Sequence, residues 1–336
     1  MRRVLALGLA ISAALYAGVA TLLEREALAG QSPAVQAART ARRVDVHRLM
    51  ADVTTLASPR FEGRRTGTPG GRAARQFIRD AFAAIGLDTV EPHGYDQPFS
   101  FTHTSIRGLV LPGRAWKTNY PDADNVVGGV RGTAPSAGSL VISAHYDHLG
   151  IQNGRVYPGA DDNASGVAAM LEIARYVKRH PLRHQALFAA FDAEELGLQG
   201  ARAFLRMPPV AVSAIALDIN LDMVSRNDHD EIFAVGTYQH PSFRPILEDV
   251  QRRSAVRILF GHDRPIRKAG LVDDWTLESD QGAFNEAGVP FVYFGVDDHP
   301  DYHQVTDTAD RIHPAFFGNV ADMILEAVLT FDRDLP

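Results

Sequence analysis

Apolar residues recur along this chain with two periods, and the change between them predicts helices alternating with strands. Val46, Leu49, Met50 and Val53 stand at helical spacing within 44–56. Ala74, Phe77, Ile78, Phe82 and Ile85 repeat the pattern in 71–85, where Gly86 supplies the stop. Between 88 and 132 the apolar pieces are short, among them 108–111 and 125–127. Gly, Pro and Asp separate them, which reads as antiparallel strands joined by loops. From Ser139 the alternation becomes regular. The unbroken apolar run 140–144 predicts a strand covered on both faces. Val167, Met170, Leu171, Ala174 and Val177 give 164–178 one apolar face. Further strands are predicted at 186–191, 214–224, 231–235, 256–260 and 290–296, with helices at 196–205, 242–253, 281–287 and 314–331. This order predicts an α/β fold: one globular domain, with a central mixed and mostly parallel sheet flanked by helices on both faces.

The first residues break the pattern. Met1-Arg2-Arg3 precedes an uncharged apolar run from Val4 to Leu23, and Ala27-Leu28-Ala29 has the small-x-small form of a signal-peptidase site. Residues 1–29 are therefore expected to be a signal peptide. An uncleaved N-terminal anchor is the competing reading, because a run of about 20 apolar residues can span a bilayer. Either way the remainder is expected to be exported: periplasmic, secreted, or membrane-anchored through residues 4–23. Membrane contact is expected only if that segment stays attached. Residues 30–43 read as a flexible leader and 44–336 as the folded domain. The net charge of −6 and the lack of a long basic block argue against a nucleic-acid partner. The sequence contains no cysteine, so disulfides and thiolate metal sites are excluded, and any metal must be held by His, Asp and Glu.

In open α/β sheets ligands bind beyond the carboxyl ends of the strands. Those positions carry His145 and Asp147, then Asp161 and Asp162, then Asp192, Glu194 and Glu195, then Asp222, and last Asp297, Asp298, His299, Asp301 and His303. Buried carboxylates at this density repel one another and oppose their own desolvation unless cations join them. A pair of divalent metals resolves the conflict. Such a centre needs a bridging carboxylate and a separate base, and Glu194-Glu195 can divide the roles of base and ligand.

His145-Tyr-Asp147, Gly159-Ala-Asp-Asp-Asn-Ala-Ser-Gly166, Asp192-Ala-Glu-Glu-Leu-Gly197, Asn220-Leu-Asp-Met223 and Tyr302-His-Gln-Val-Thr-Asp307 resemble, in order, the five metal-site motifs of the M28 family of zinc metallopeptidases. The loop 57–70 is similar to the lead-in of bacterial members. The resemblance runs from about residue 45 to 332 and implies a zinc-peptidase fold with two Zn2+ per chain, for which Co2+ or Mn2+ can substitute. It implies that Asp162 bridges both ions, with His145 and Asp222 completing one site and Glu195 and His303 the other. Glu194 would be the general base, Asp147 would orient the imidazole of His145, and Tyr302 would hydrogen-bond the tetrahedral intermediate. The peptide bond after Asp147 is expected to be cis. Gln304-Val305 departs from the Thr or Ser common after the last ligand.

The implied activity is removal of N-terminal residues from peptide substrates. The alternatives are a carboxypeptidase or dipeptidase of the same superfamily, a single-zinc glutaminyl cyclase, and a metal-free binding domain. Beside the assigned ligands, Asp161 reads as a helix cap or loop residue, the Ser279-Asp280 pair as a cap or a rim contact to substrate, and Asp192 and Asp218 as structural. The histidines outside the motifs read first as surface or internally satisfied residues; as minority readings, His148 and His299 neighbour the ligands, Arg226 meets a substrate carboxylate and Trp275 lines a substrate pocket.

Overall fold

The computed structural model describes residues 42–90, 92–106, 115–264 and 273–336. The expected signal peptide, most of the leader and the piece 108–111 lie outside them. Arg42 and Arg43, which composition places in the leader, are fastened to the closing helix. The Arg43 backbone N–H donates to Asp322 at 2.7 Å and its guanidinium to Glu326 at 2.6 Å, while Arg42 donates to Asn319.

Helix α1 (Val46–Leu56) starts where the Asp45 carboxylate accepts from the N–H groups of His47 and Arg48, satisfying donors that have no partner inside the helix. Helix α2 (Pro69–Ile85) begins with a Thr68 cap and Pro69, and Gly86 at φ 80° ends it. The difficult stretch is antiparallel: β1 (Asp88–Thr89), β2 (Asp96–Ile106) and the long β3 (Ala115–Val130). The regular part follows with β4 (Ser139–His145), then a hairpin of β5 (Gly150–Gln152) and β6 (Arg155–Tyr157) that periodicity does not reveal in strands of three residues. Next come α3 (Gly166–Arg179), β7 (Gln185–Phe191), α4 (Gln199–Arg206), β8 (Ile215–Leu221), β9 (Glu231–Val235), α5 (Phe243–Arg253), β10 (Arg257–Phe260), α6 (Gln281–Glu286), β11 (Phe291–Gly295) and α7 (Pro314–Asp334).

The strands form one mixed sheet in the order β1-β3-β7-β4-β8-β11-β9-β10, with β2 added beside β3. Its centre, β7-β4-β8-β11, is parallel, so four carboxyl ends open on one edge. The continuous apolar runs follow from burial on both faces. In β4, Leu140, Ile142 and Ala144 enter the core beneath α1, α2, α3, α5 and α7, whereas Val141 points to the core under α4 and α6. Helix α7 is long and apolar enough to cross a membrane by length and composition, but Phe317, Val320, Ile324 and Val328 are buried in the larger core. Each such side chain contributes roughly 1.5–3 kcal/mol through burial.

Candidate metal centre

Strand β4 carries His145 to the open edge of the sheet. Its Nδ1 lies 3.1 Å from the carbonyl oxygen of Asp147, which fixes the ring with Nε2 free to face the site. The carboxylate that the motif assigns to orienting this ring is 3.7 Å away. It accepts instead from the backbone N–H of Glu194 at 3.0 Å, and so ties the end of β4 to the turn after β7. Among the described residues the cis peptide bond is Asp162–Asn163, not the bond after Asp147.

The turn into α3 holds Asp162, and buried groups position it from several directions. Asp307 accepts from the N–H of Asp161 at 3.0 Å and of Asp162 at 3.1 Å. The Asn163 amide donates to Leu221 O at 2.8 Å, and its oxygen accepts from Gly166 N at 2.9 Å, locking the turn to β8. Beneath it lies Arg64, fully buried, whose five N–H groups donate to the carbonyl oxygens of Leu56, Tyr146, Pro158, Gly159 and Asp162. Burial pushes the Arg64 pKa down to about 10, so the group stays cationic at neutral pH.

Two donor groups share Asp162. Its Oδ1 lies 3.4 Å from His145 Nε2, which is 3.2 Å from Asp222 Oδ1. Its Oδ2 lies 3.0 Å from His303 Nε2 and 3.5 Å from His148 Nδ1, and Glu195 Oε1 is 3.5 Å and 2.8 Å from the same two nitrogens. Each set can hold one ion: His145, Asp162 and Asp222 in one, His148, Asp162, Glu195 and His303 in the other. The separations fit such use. Tetrahedral zinc with bonds of about 2.0–2.1 Å places its donors roughly 3.3–3.4 Å apart.

The electrostatics ask for cations as well. Although burial acts in the opposite sense, Asp222 and Glu194 hold the pKa of His145 well above its ordinary value. The His303 pKa rises to about 10 against burial, through Asp162 and Glu195. Glu195 is held well below the carboxylate range, because His148 and His303 outweigh its burial. Burial, then Asp280, Asp222 and Glu195 acting against His145, push Glu194 well above that range. Asp280 is completely buried with both carboxylate oxygens lacking a hydrogen-bond partner, and burial together with Asp147 and Asp222 raises its pKa to about 8. An acid cluster with His145 and His303 drawn towards protonation and Asp280 left unpaired has the charge balance that divalent ions would complete.

Both groups open into a cleft of about 810 Å3, also lined by Glu194, Trp275, Glu278, Asp298 and Tyr302. The Tyr302 ring stacks on His303 with centroids 3.9 Å apart. Other residues singled out in the sequence serve the scaffold. Asp161 accepts from Ser225 and meets His299 at 3.0 Å rather than capping a helix. Asp280 makes no side-chain cap either. Asp192 accepts from Thr66 and Asp218 from Ser143, each at 2.8 Å. Arg226 is paired with Asp301 at 2.8 Å. The roles of Arg64, Asp280 and Asp307 escape sequence reasoning although all three stand in stretches it marks, because no periodicity or ligand spacing shows what they touch. His148 was visible beside Asp147, but only the fold turns it towards Glu195.

The chain spans about half the length, or less, of the curated relatives it matches. It is 30% identical over 198 residues to aminopeptidase YwaD of Bacillus subtilis, covering 56% of this chain and 40% of that one. It is 29% identical over 237 residues to the probable lipoprotein aminopeptidase LpqL of Mycobacterium tuberculosis, covering 63% and 46%. Among solved structures, the zinc aminopeptidase BSAP of Bacillus subtilis superposes with a TM-score of 0.64 at 17% identity, covering 85% of this chain and 95% of that one. Glutaminyl cyclase of Porphyromonas gingivalis reaches 0.62 at 17% identity, with 86% and 99% covered. At that identity these likenesses establish the shared fold. The family model described as peptidase family M28 matches residues 125–328, more than half of the sequence, and the chain belongs to that family.

Proposed function

We propose that this protein is an exported metallo-aminopeptidase whose centre binds two zinc ions, one in each donor group. The observation that carries the reading is the Asp162 carboxylate, which presents one oxygen to each set. When bound, zinc supplies Lewis acidity, polarising the scissile carbonyl and making a neighbouring water more acidic. The chain's own groups do the rest. The Glu194 side chain, with Oε2 4.0 Å from His145 Nε2, would be ionised once bound cations offset the neighbouring acids that raise its pKa, and takes a proton from the attacking water and returns it to the leaving amine as the C–N bond breaks. Asp147 holds the backbone of that base in place. The Tyr302 hydroxyl donates to the oxygen that gains charge as the carbonyl becomes tetrahedral.

The choice of the amino end rests on the cleft's charge. Asp273, Asp274, Glu278 and Asp298 line it, matching a substrate ammonium group. The lining guanidinium of Arg202 lies 3.0 Å from Glu286, and Arg226 is bound to Asp301, so neither is offered to a substrate carboxylate. Export is supported by the apolar run 4–23 and by the description of the mycobacterial relative as a probable lipoprotein. Activity on aminoacyl p-nitroanilides, on their N-acetylated forms and on N-terminal glutaminyl peptides tests the reading. Release only from free amino termini, abolished by a chelator and restored by zinc, supports it. Cleavage of blocked substrates, or cyclisation with a single bound zinc, contradicts it.

A further inference from the structure

We propose that His148 is itself a metal ligand, so that the two ions are held unequally. Through Nδ1 it completes a four-donor set with Asp162, Glu195 and His303, while the other ion has three protein donors. The inference deepens the two-ion reading and rests on it. A hydrogen bond to Glu195 would account for the 2.8 Å contact alone. It would not account for the 3.5 Å approach of the same nitrogen to Asp162, nor for His148 Nδ1 and His303 Nε2 meeting the same two oxygens. The two rings lie 5.7 Å apart at 55°, so both can face one centre. Only the Nδ1 edge of His148 is engaged, because Nε2 is buried without a partner. The ring has room because residue 159 is glycine: a side-chain carbon there would lie 2.5 Å from His148 Cδ2. Four protein donors make a closed, tightly bound tetrahedral site, whereas three leave a position open for chemistry. The three-donor set is the one beside Glu194, so the division assigns anchoring to the His148 site and reaction to the His145 site.

The test is a 113Cd2+ titration of the metal-free protein carrying 15N-labelled histidine, followed by NMR. The first equivalent should give a cadmium resonance coupled to two imidazole nitrogens, one of them Nδ1, and the second a resonance coupled to one. In His148→Phe each resonance should couple to a single nitrogen. The first binding step, measured by calorimetry, should weaken by more than about 100-fold, beyond the roughly 10–100-fold of a residue that only supports a ligand. His148→Asn, which keeps an acceptor near the Nδ1 position, should recover part of that loss. Two bound cadmium ions in the unaltered protein, each coupled to one imidazole, would overturn the role of His148 and leave the two-ion centre standing. No bound cadmium at all would overturn both. The coupling count in the unaltered protein decides the matter even if a variant fails to fold.

Discussion

Replacing Arg64 by Met should loosen the floor of the metal centre more than any change to a single ligand. The guanidinium makes five hydrogen bonds of 2.6–3.2 Å, and those to Tyr146, Gly159 and Asp162 join the end of β4 to the turn that carries the shared carboxylate. At about 1 kcal/mol net for each lost bond the sum is roughly 5 kcal/mol. Relief of the guanidinium's own desolvation offsets part of this, since burying an ion costs several kcal/mol. We expect a net loss of about 3 kcal/mol in urea denaturation with chelator present. Zinc affinity, read by competition with a chromophoric chelator, should fall as well, because Asp162 loses one of the ties that position it. Arg64→Lys keeps the charge but offers three donors, and should recover less than half of the stability. If Arg64→Met unfolds within about 0.5 kcal/mol of the parent, the guanidinium is not the tie described, and the positioning of Asp162 must come from Asp307 and Asn163 alone.

Three further outcomes are expected. Glu194→Gln should retain its metal and its fold but lose roughly 100- to 10,000-fold in kcat, with metal analysis beside steady-state kinetics as the check; near-parental turnover would remove Glu194 from the role of base. Asp162→Asn should lower zinc content to one ion or fewer per chain while Asp222→Asn loses only one, and equal retention of two ions in both would deny the bridge. Asp218 is buried, and its carboxyl is pushed well above the ordinary range by that burial, with Ser143 opposing. The folded chain then keeps a proton that the unfolded chain releases above about pH 4, so stability should decline as pH rises from there towards the folded pKa. Asp218→Asn should lack that decline in denaturation curves taken across pH, and parallel profiles would refute the assignment.

How far the sequence discloses this protein depends on the range of the interactions involved. Elements with one covered face write a period into the chain, so α1, α2, α3 and α7 and the buried strands β4 and β7 are legible within three residues at each end. Short strands held by a turn, such as β5 and β6, write none. Candidate ligands that follow a strand are legible by their position among the other acids and histidines there, and the resemblance to the M28 motifs is what singled out His145, Asp162, Glu195, Asp222 and His303 before any fold was known. The support beneath them was not legible. Arg64 lies 98 residues from the Asp162 carbonyl it binds, and Asp307 lies 146 residues from Asp161. Such pairings exist only once the sheet order is set. Asp147 illustrates the limit within a motif: its position is marked, but whether its carboxylate or its carbonyl meets His145 is decided by the local path of the backbone.

The most direct test of the two-ion account is an anomalous difference map at the zinc edge from crystals of the zinc-loaded protein. The account predicts two peaks about 3.5–4 Å apart, one on each side of the Asp162 carboxylate. A single peak, or peaks that Asp162 does not touch, would contradict it.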